Sequence, residues 1–249
     1  MIVSLPFYDP PFYRDLTDGY WAAVAGRLAE DGVDVPRTLR RVDDLDGDYL
    51  SADLMLSQCC GWPFLEGAAR DTALVGAQSL DCAGGGVGRD SSAGVQRVGE
   101  TRPLADLRVA INTRCSVSGN LALGRFLRAR GVASFAPLLT GGHLKSLAAL
   151  TEAEADLAAI DCVYWHIARR EGLSDGLEVI GWTESLPSPP YVTSLNTPPF
   201  VRKTLRLALS EVLRRPAMSD YRTAFGIADV VNADVDAYEV YREWHLTRA

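Results

Sequence analysis

Three short stretches place polar groups where a strand-like pattern gives way to a helix-like one: CSVSGNLAL (115–123), TGGHLKSLAAL (140–150) and AAIDCVYW (158–165). In the first, Ser116, Ser118, Gly119 and Asn120 precede an amphipathic helix. Hydroxyls and first-turn N–H groups would converge there, with the positive end of the helix dipole behind them. That chemistry suits a phosphate, phosphonate, sulfate or carboxylate, and it also suits a plain helix cap with Ser118 as the N-cap. His143, one of three histidines in the chain, stands at the second helix start. An imidazole there can donate to an anion or satisfy the backbone. Asp161 ends the apolar run ADLAAI, so its carboxylate must be paired, cap the next helix, or face a cleft.

Two further junctions, PFYD (6–9) and SQCCGWPF (57–64), bring Tyr8, Ser57, Gln58 and Cys59 to strand ends. Tyr8, Trp62, Tyr164, Trp165 and Tyr191 could line an apolar pocket wall or fill the core. The five cysteines, Cys59, Cys60, Cys82, Cys115 and Cys162, are odd in number and form no CxxC pair, which disfavours a disulfide framework and a structural zinc site. A thiol nucleophile would need a low pKa and a base, for which His143 is the candidate. Otherwise these thiols are small buried hydrophobes. GGGVG (84–88) lacks the strand–loop–helix setting of a dinucleotide fingerprint, and no GKS/GKT ending makes a P-loop. No metal ligand set and no cofactor is expected.

The elements that position these groups alternate. The opening IVSLPFY predicts a short buried strand, 17–31 a helix with Tyr20, Val24 and Leu28 on one face, and RTLRRV (37–42), ADLMLSQ (52–58) and TALVGAQ (72–78) further strands. LDCAGGGVGRDSSAG then reads as a linker or mobile loop. A second unit follows: a strand at LRVAIN (107–112), a helix through NLALGRFLRARG, a helix over HLKSLAAL, and strands at ADLAAID and LEVIGWT (177–183). SLPSPPYVTS is a second irregular stretch, and PPFVRKTLRLALSEVLRRP with 219–246 reads as helices packed back on the first unit. This alternation is that of an α/β protein.

Composition narrows the partners. At 249 residues the chain suits one large α/β domain or two smaller ones, and 47% apolar with 23% charged residues belongs to the globular class. Thirty-two acids against 25 Lys and Arg, net −7, argue against a nucleic-acid surface. No stretch is apolar enough to enter a membrane directly. MIVSLPFYD has neither a basic nor a long apolar leader segment, so the expected location is cytoplasmic as the sequence stands, or periplasmic if the start was trimmed.

In order and spacing, SLPFYD, DLMLSQCCGWPF, LADLRVAIN with SVSGNLAL, TGGHLKSLAAL, EADLAAIDCVYW and PYVTS resemble the substrate-binding proteins of phosphate/phosphite/phosphonate ABC transporters, from about residue 2 to 215. The resemblance implies an α/β, two-lobed type II periplasmic-binding-protein fold. Each lobe would be a mixed, mostly parallel sheet flanked by helices: residues 1–78 plus 190–249 in one, 92–183 in the other, with hinges at about 78–92 and 183–190. It implies a small anionic or zwitterionic ligand clamped in an interlobe cleft. The head group would lie on Ser116, Ser118, Gly119 and Asn120, with His143 contacting it, Asp161 reading the far end, and Tyr8, Ser57, Gln58, Cys59, Ser91 and Ser92 completing the site. An ABC permease would be the partner if the protein is exported. Family members commonly carry tyrosines where this chain has Ser57–Gln58 and Ser91–Ser92, so a different or smaller ligand is expected. The rival expectation is a cytoplasmic enzyme on the same clamp, with His143 or Asp161 as acid/base and a cysteine as nucleophile or sacrificial donor.

Overall fold

The computed structural model describes residues 1–42 and 46–245. The chain forms two units, residues 1–81 with 187–249 and residues 82–186.

In the first unit, β1 (Ile2–Val3) pairs in parallel with β2 (Leu54–Gln58). Between them lie α1 (Arg14–Glu30) and a single turn, α2 (Asp46–Tyr49). α1 buries Tyr20, Trp21, Val24, Ala25 and Leu28 at helical spacing. The polar ends of its two large aromatics stay paired: the Tyr20 hydroxyl donates to the Leu209 carbonyl and Trp21 Nε1 to the Pro36 carbonyl. The strand expected over 37–42 does not form. One backbone bond, from Arg40 N to the Val3 carbonyl at 2.7 Å, holds the segment, while Arg40 and Arg41 turn their side chains to Asp48, Asp9 and Asp18. After β2 come the short α3 (Gly61–Glu66) and the long buried strand β3 (Thr72–Leu80).

The Gly-rich stretch expected to be a loop is more ordered than its composition suggests. It contains β4 (Arg89–Asp90) and leads into β5 (Ser92–Arg97). The second unit continues with β6 (Val109–Ile111), a π-helical turn over Val117–Leu121 running into α4 (Ala122–Arg128), and β7 (Pro137–Leu139). Then follow α5 (His143–Thr151), β8 (Leu157–Asp161), α6 (Cys162–Arg170) and β9 (Leu177–Trp182). Sheet order is β7-β6-β8-β5-β9. β5 alone runs against its neighbours β8 and β9, while β6 is parallel to both β7 and β8. The carboxyl ends of β6, β7 and β8 therefore share one edge, and each leads into a helix start there. Such an edge is where open α/β sheets gather ligands.

Two apolar layers hold that sheet. One face packs Ala93, Val95, Leu147, Leu150, Ile160 and Trp165; the other packs Val109, Ile111, Leu123, Phe126, Leu127 and Leu157. Alanines at 158 and 159 keep β8 thin enough for helices to approach both faces. At the opposite end of β8, Asp156 is fully buried and gathers Arg97, Arg102 and Arg108 within 2.9 Å. These guanidinium contacts hold its carboxyl far below the usual carboxylate range.

The chain then re-enters the first unit. The second stretch expected to be irregular contains β10 (Leu186–Pro187), paired with β4, and β11 (Pro190–Ser194). α7 (Pro199–Leu213) and α8 (Ser219–Phe225) are helical as expected. Ile227–Val231, expected to be helical, is the edge strand β12, released by Gly226 in the left-handed conformation at φ 62°. α9 (Val240–His245) closes the described chain; residue 246, the last of the tail expected to be helical, lies outside it. Sheet order here is β1-β2-β11-β3-β12, with β11 antiparallel to both β2 and β3.

Removing the one acid that all three arginines share leaves Glu100 to pair with Arg97 and Arg102 and takes from Arg108 the carboxylate it grips at the strand end. Asp156→Asn is expected to destabilise the protein by about 1.5–3 kcal/mol, the worth of a hydrogen bond to a charged group, read as a lowered denaturation midpoint. An unchanged midpoint would show the cluster to be ornamental.

Candidate functional site

Three helix starts of the second unit meet on one imidazole. Ser118 Oγ lies 3.0 Å from His143 Nε2, and Asp161 N donates to His143 Nδ1 at 3.3 Å. With Nδ1 as the acceptor of that N–H, the ring proton sits on Nε2 and is donated to Ser118 Oγ. The hydroxyl proton of Ser118 is left for a further acceptor. Burial pushes the His143 pKa down to about 3, against the opposing pull of the Ala159 carbonyl. The ring is therefore neutral near pH 7. The Tyr164 ring lies 5.4 Å from it, centroid to centroid, tilted by 33°.

The first helix start is built differently from the sequence expectation. Ser116, not Ser118, is the cap: its Oγ accepts from Gly119 N at 3.0 Å. The turn that follows is wide, with Leu121 N reaching the Ser116 carbonyl, and this sets Ser118 facing His143. Gly119 is required by contact. A Cβ there would sit 2.6 Å from the side-chain amide carbon of Asn112. Asn112 in turn accepts from Ser146, which pairs with Thr140, so the second helix start is tied to the first. Asn120 turns its amide back to the Arg114 carbonyl at 2.7 Å.

At the third start, Asp161 caps α6, its Oδ1 accepting from Val163 N at 2.9 Å and Tyr164 N at 3.4 Å. It also has a partner that the sequence reading missed. Asp90 is buried beside it. Burial, followed by the charge of Asp161 and the hydrogen bond between the two carboxyls, raises the Asp90 pKa well above the ordinary value. Asp90 is the protonated member and donates to Asp161. The antiparallel register, with Ser92 opposite Asp161, brings the strand entry at 90–92 to the end of β8, a pairing that local sequence does not encode. Ser91 Oγ donates to the Gly84 carbonyl at 2.8 Å, and Ser92 N donates to Thr183 Oγ1.

Tyr8, Ser57, Gln58 and Cys59 all belong to the first unit and are buried there. Ser57 Oγ pairs with Ser4 Oγ at 2.8 Å, and burial pushes the Cys59 thiol up. Gln58 Nε2 has no partner among the described residues. Of the aromatics expected on a pocket wall, Trp165 packs in the core of the second unit. Tyr191 is buried in the first unit, where its hydroxyl accepts from Gln78 Nε2 at 2.9 Å. Tyr164 is the one beside His143. Among the described residues, no cluster of three or more His, Cys, Asp or Glu could hold a metal, and no helix is long and apolar enough to cross a membrane.

A profile of the ABC-transporter phosphonate periplasmic substrate-binding proteins matches residues 85–238, which span all three helix starts. The chain belongs to this family. Among solved structures it is similar to PhnD1 from Prochlorococcus marinus in complex with methylphosphonate, at TM-score 0.73 and 15% identity, over 98% of this chain and 97% of that one. It is likewise similar to a binding-protein component of an ABC phosphonate transporter from Pseudomonas aeruginosa, at TM-score 0.74 and 16% identity, over 98% and 85%. XAC2383 from Xanthomonas citri, bound to ATP, aligns at TM-score 0.66 and 16% identity, over 99% and 96%. These likenesses carry the fold, an α/β type II periplasmic-binding-protein fold. No curated protein matches the sequence significantly.

The Asp90–Asp161 pair gives this substrate-binding protein a measurable pH signature. A carboxyl whose folded pKa is raised above about 3.9 contributes stability that declines as pH rises from that value toward the folded pKa. Asp90→Asn keeps a donor for Asp161 and has no proton to lose. Its melting temperature should gain on the parent's as pH rises from 4 to 8, and parallel curves would contradict the pairing.

Proposed function

We propose that this substrate-binding protein takes a small phosphate- or phosphonate-like anion without catalysis, through the Ser118 hydroxyl and the helix start at Val117–Leu121. The observation that carries this reading is the donor chain from Asp161 N to His143 and from His143 Nε2 to Ser118. With both ring nitrogens committed, Ser118 can only offer its proton outward to an acceptor. A neutral hydroxyl aimed from the positive end of a helix suits an anionic oxygen.

This refines the expectation from sequence. There, His143 was expected to contact the anion; here it acts through Ser118, as a positioning residue. Ser116 spends its hydroxyl oxygen on the cap, and Asn120 ties down the loop. Methylphosphonate in the Prochlorococcus protein makes the simplest alkylphosphonate the first ligand to try. Delivery to an ABC permease is the corresponding partner role, in keeping with the family. The acid/base enzyme reading is less well supported, because a ring held neutral down to about pH 3 is a poor proton acceptor near neutrality, and Cys59 is held as an un-ionised thiol.

Binding of methylphosphonate, phosphate, phosphite, a sulfonate and a neutral amino acid should be compared by calorimetry and by thermal shift, where a hundredfold excess over Kd stabilises by about 2.7 kcal/mol. Ser118→Ala should weaken the preferred anion by ten- to a hundredfold, the worth of one hydrogen bond to a charged group, about 1.5–3 kcal/mol. His143→Ala should weaken it by a similar factor, and His143→Gln should restore part of the loss. Equal affinity in Ser118→Ala and the parent would overturn the assignment.

A further inference from the structure

In the first unit the two neighbours of β3 cover different stretches of it. β11 pairs with it over 72–77, but β12 only over 77–80, so Thr72–Gly76 have a strand partner on one side alone. Gly76 marks where β12 departs. A Cβ there would lie 2.7 Å from the Val231 carbonyl and 3.0 Å from Arg206 Cδ, so the end of β12 and the stem of Arg206 press on this backbone and the chain leaves the sheet as 232–235. Among the described residues, no backbone bond from outside the sheet reaches Ala73, Leu74 or Val75. A bare edge of this kind offers N–H and C=O groups in a row.

A recess of about 630 Å³ opens on that stretch, wholly within the first unit. Thr72, Ala73, Leu74 and Val75 line it. Successive side chains of a strand point to opposite faces, so a recess that touches consecutive residues meets the strand's edge. The chain leaving β12, residues 232–235, lines it as well, so the recess lies where a continuation of β12 would run. Its other walls are cationic and apolar. Arg202 stands in the first turn of α7, a turn with no acidic residue, and has no acid partner among the described residues. A cation there opposes the helix dipole and gains from any anion brought to it. Arg70 has only the exposed, adjacent Asp71, at 3.4 Å, a pair worth little in water. Arg242 is committed to Glu66 and Glu239. Of the two acids on the lining, Glu239 is thus paired and Asp234 caps the turn that follows it. Leu195 and Val235, 61% and 46% exposed, supply apolar surface.

We propose that the recess receives an extended acidic segment of a partner protein, which adds a short strand to β3 in line with β12. Main-chain groups of the segment pair with the bare edge, its carboxylates meet Arg202 and Arg70, and apolar side chains between them cover Leu195 and Val235. Strand addition draws affinity from the backbone and selectivity from alternate side chains. The acidity follows from the two uncommitted guanidinium groups. The length follows from the four strand residues that line the recess, about 13 Å of strand. Two copies of this chain pairing edge to edge would set like charges against each other, which favours a different partner.

The test titrates the full-length protein, labelled with nitrogen-15, with an acetylated and amidated pentapeptide of alternating valine and aspartate, and with its counterpart carrying lysine for aspartate. The aspartate peptide should shift the amide signals of residues 72–75 and bind more weakly as salt rises. Affinity should fall by about tenfold or more for the lysine peptide, and by about tenfold for the aspartate peptide on Arg202→Gln, the worth of one hydrogen bond to a charged group. Methylphosphonate binding should be the same in Arg202→Gln and the parent, so the reading of Ser118 stands or falls separately. No shift at 72–75 with the aspartate peptide would overturn the proposal, as would equal affinity for the two peptides. So would displacement of the peptide by glutarate at equal concentration, which would make this a small-anion site only, or the same shifts on concentrating the protein alone, which would make a second copy the occupant.

Discussion

The second unit's sheet edge depends on a neutral imidazole with its two nitrogens in opposite roles. His143 accepts from the Asp161 backbone and donates to Ser118, and so converts three separately folded helix starts into one oriented group. The half-burial of the ring favours this. A solvated histidine would take up a proton as pH falls through 6.5, would then have two donors, and could no longer accept from Asp161 N–H. Burial holds the neutral form, and the neutral form fixes which way the Ser118 proton points.

The supporting structure is consistent with that constraint. Ser116 takes the capping duty that would otherwise fall to Ser118, and Gly119 lets Asn112 pass close enough to join the first helix start to Ser146 and Thr140. Asp161 is placed by what it caps and by the protonated Asp90 beside it. Asp156, at the other end of the same strand, does opposite work: three arginines keep it ionised and anchor β8 away from the site. One strand thus carries a charged anchor at one end and a proton-sharing pair at the other.

Much of this edge was legible from residues alone. Apolar runs ending in a polar residue, as in ADLAAID, and hydroxyl-rich helix openings, as in SVSGN, mark strand-to-helix junctions because burial and capping impose those patterns. The order of SVSGN, TGGH and AAID gave the resemblance that the matching of residues 85–238 upheld. What local sequence could not show was pairing across distance. Asp90 and Asp161 meet only through the antiparallel register of β5 on β8, and the choice of Ser116 over Ser118 as cap depends on a π turn that no single residue announces. The Gly-rich and Pro-rich crossings misled in the other direction. Turn-forming composition over 80–94 and 185–194 concealed strands, because backbone pairing there outweighs intrinsic preference. RTLRRV had strand-like alternation, but its arginines are committed to acids instead.

The tautomer of His143 tests the account most directly. Nitrogen-15 NMR of the imidazole, followed from pH 8 down to pH 4, should show a neutral ring throughout, with the proton on Nε2 and Nδ1 unprotonated. A ring that becomes imidazolium near pH 6.5, or one that carries its proton on Nδ1 toward the Ala159 carbonyl, would contradict it, because Ser118 would then donate to the ring or face a cation rather than present its proton to a ligand.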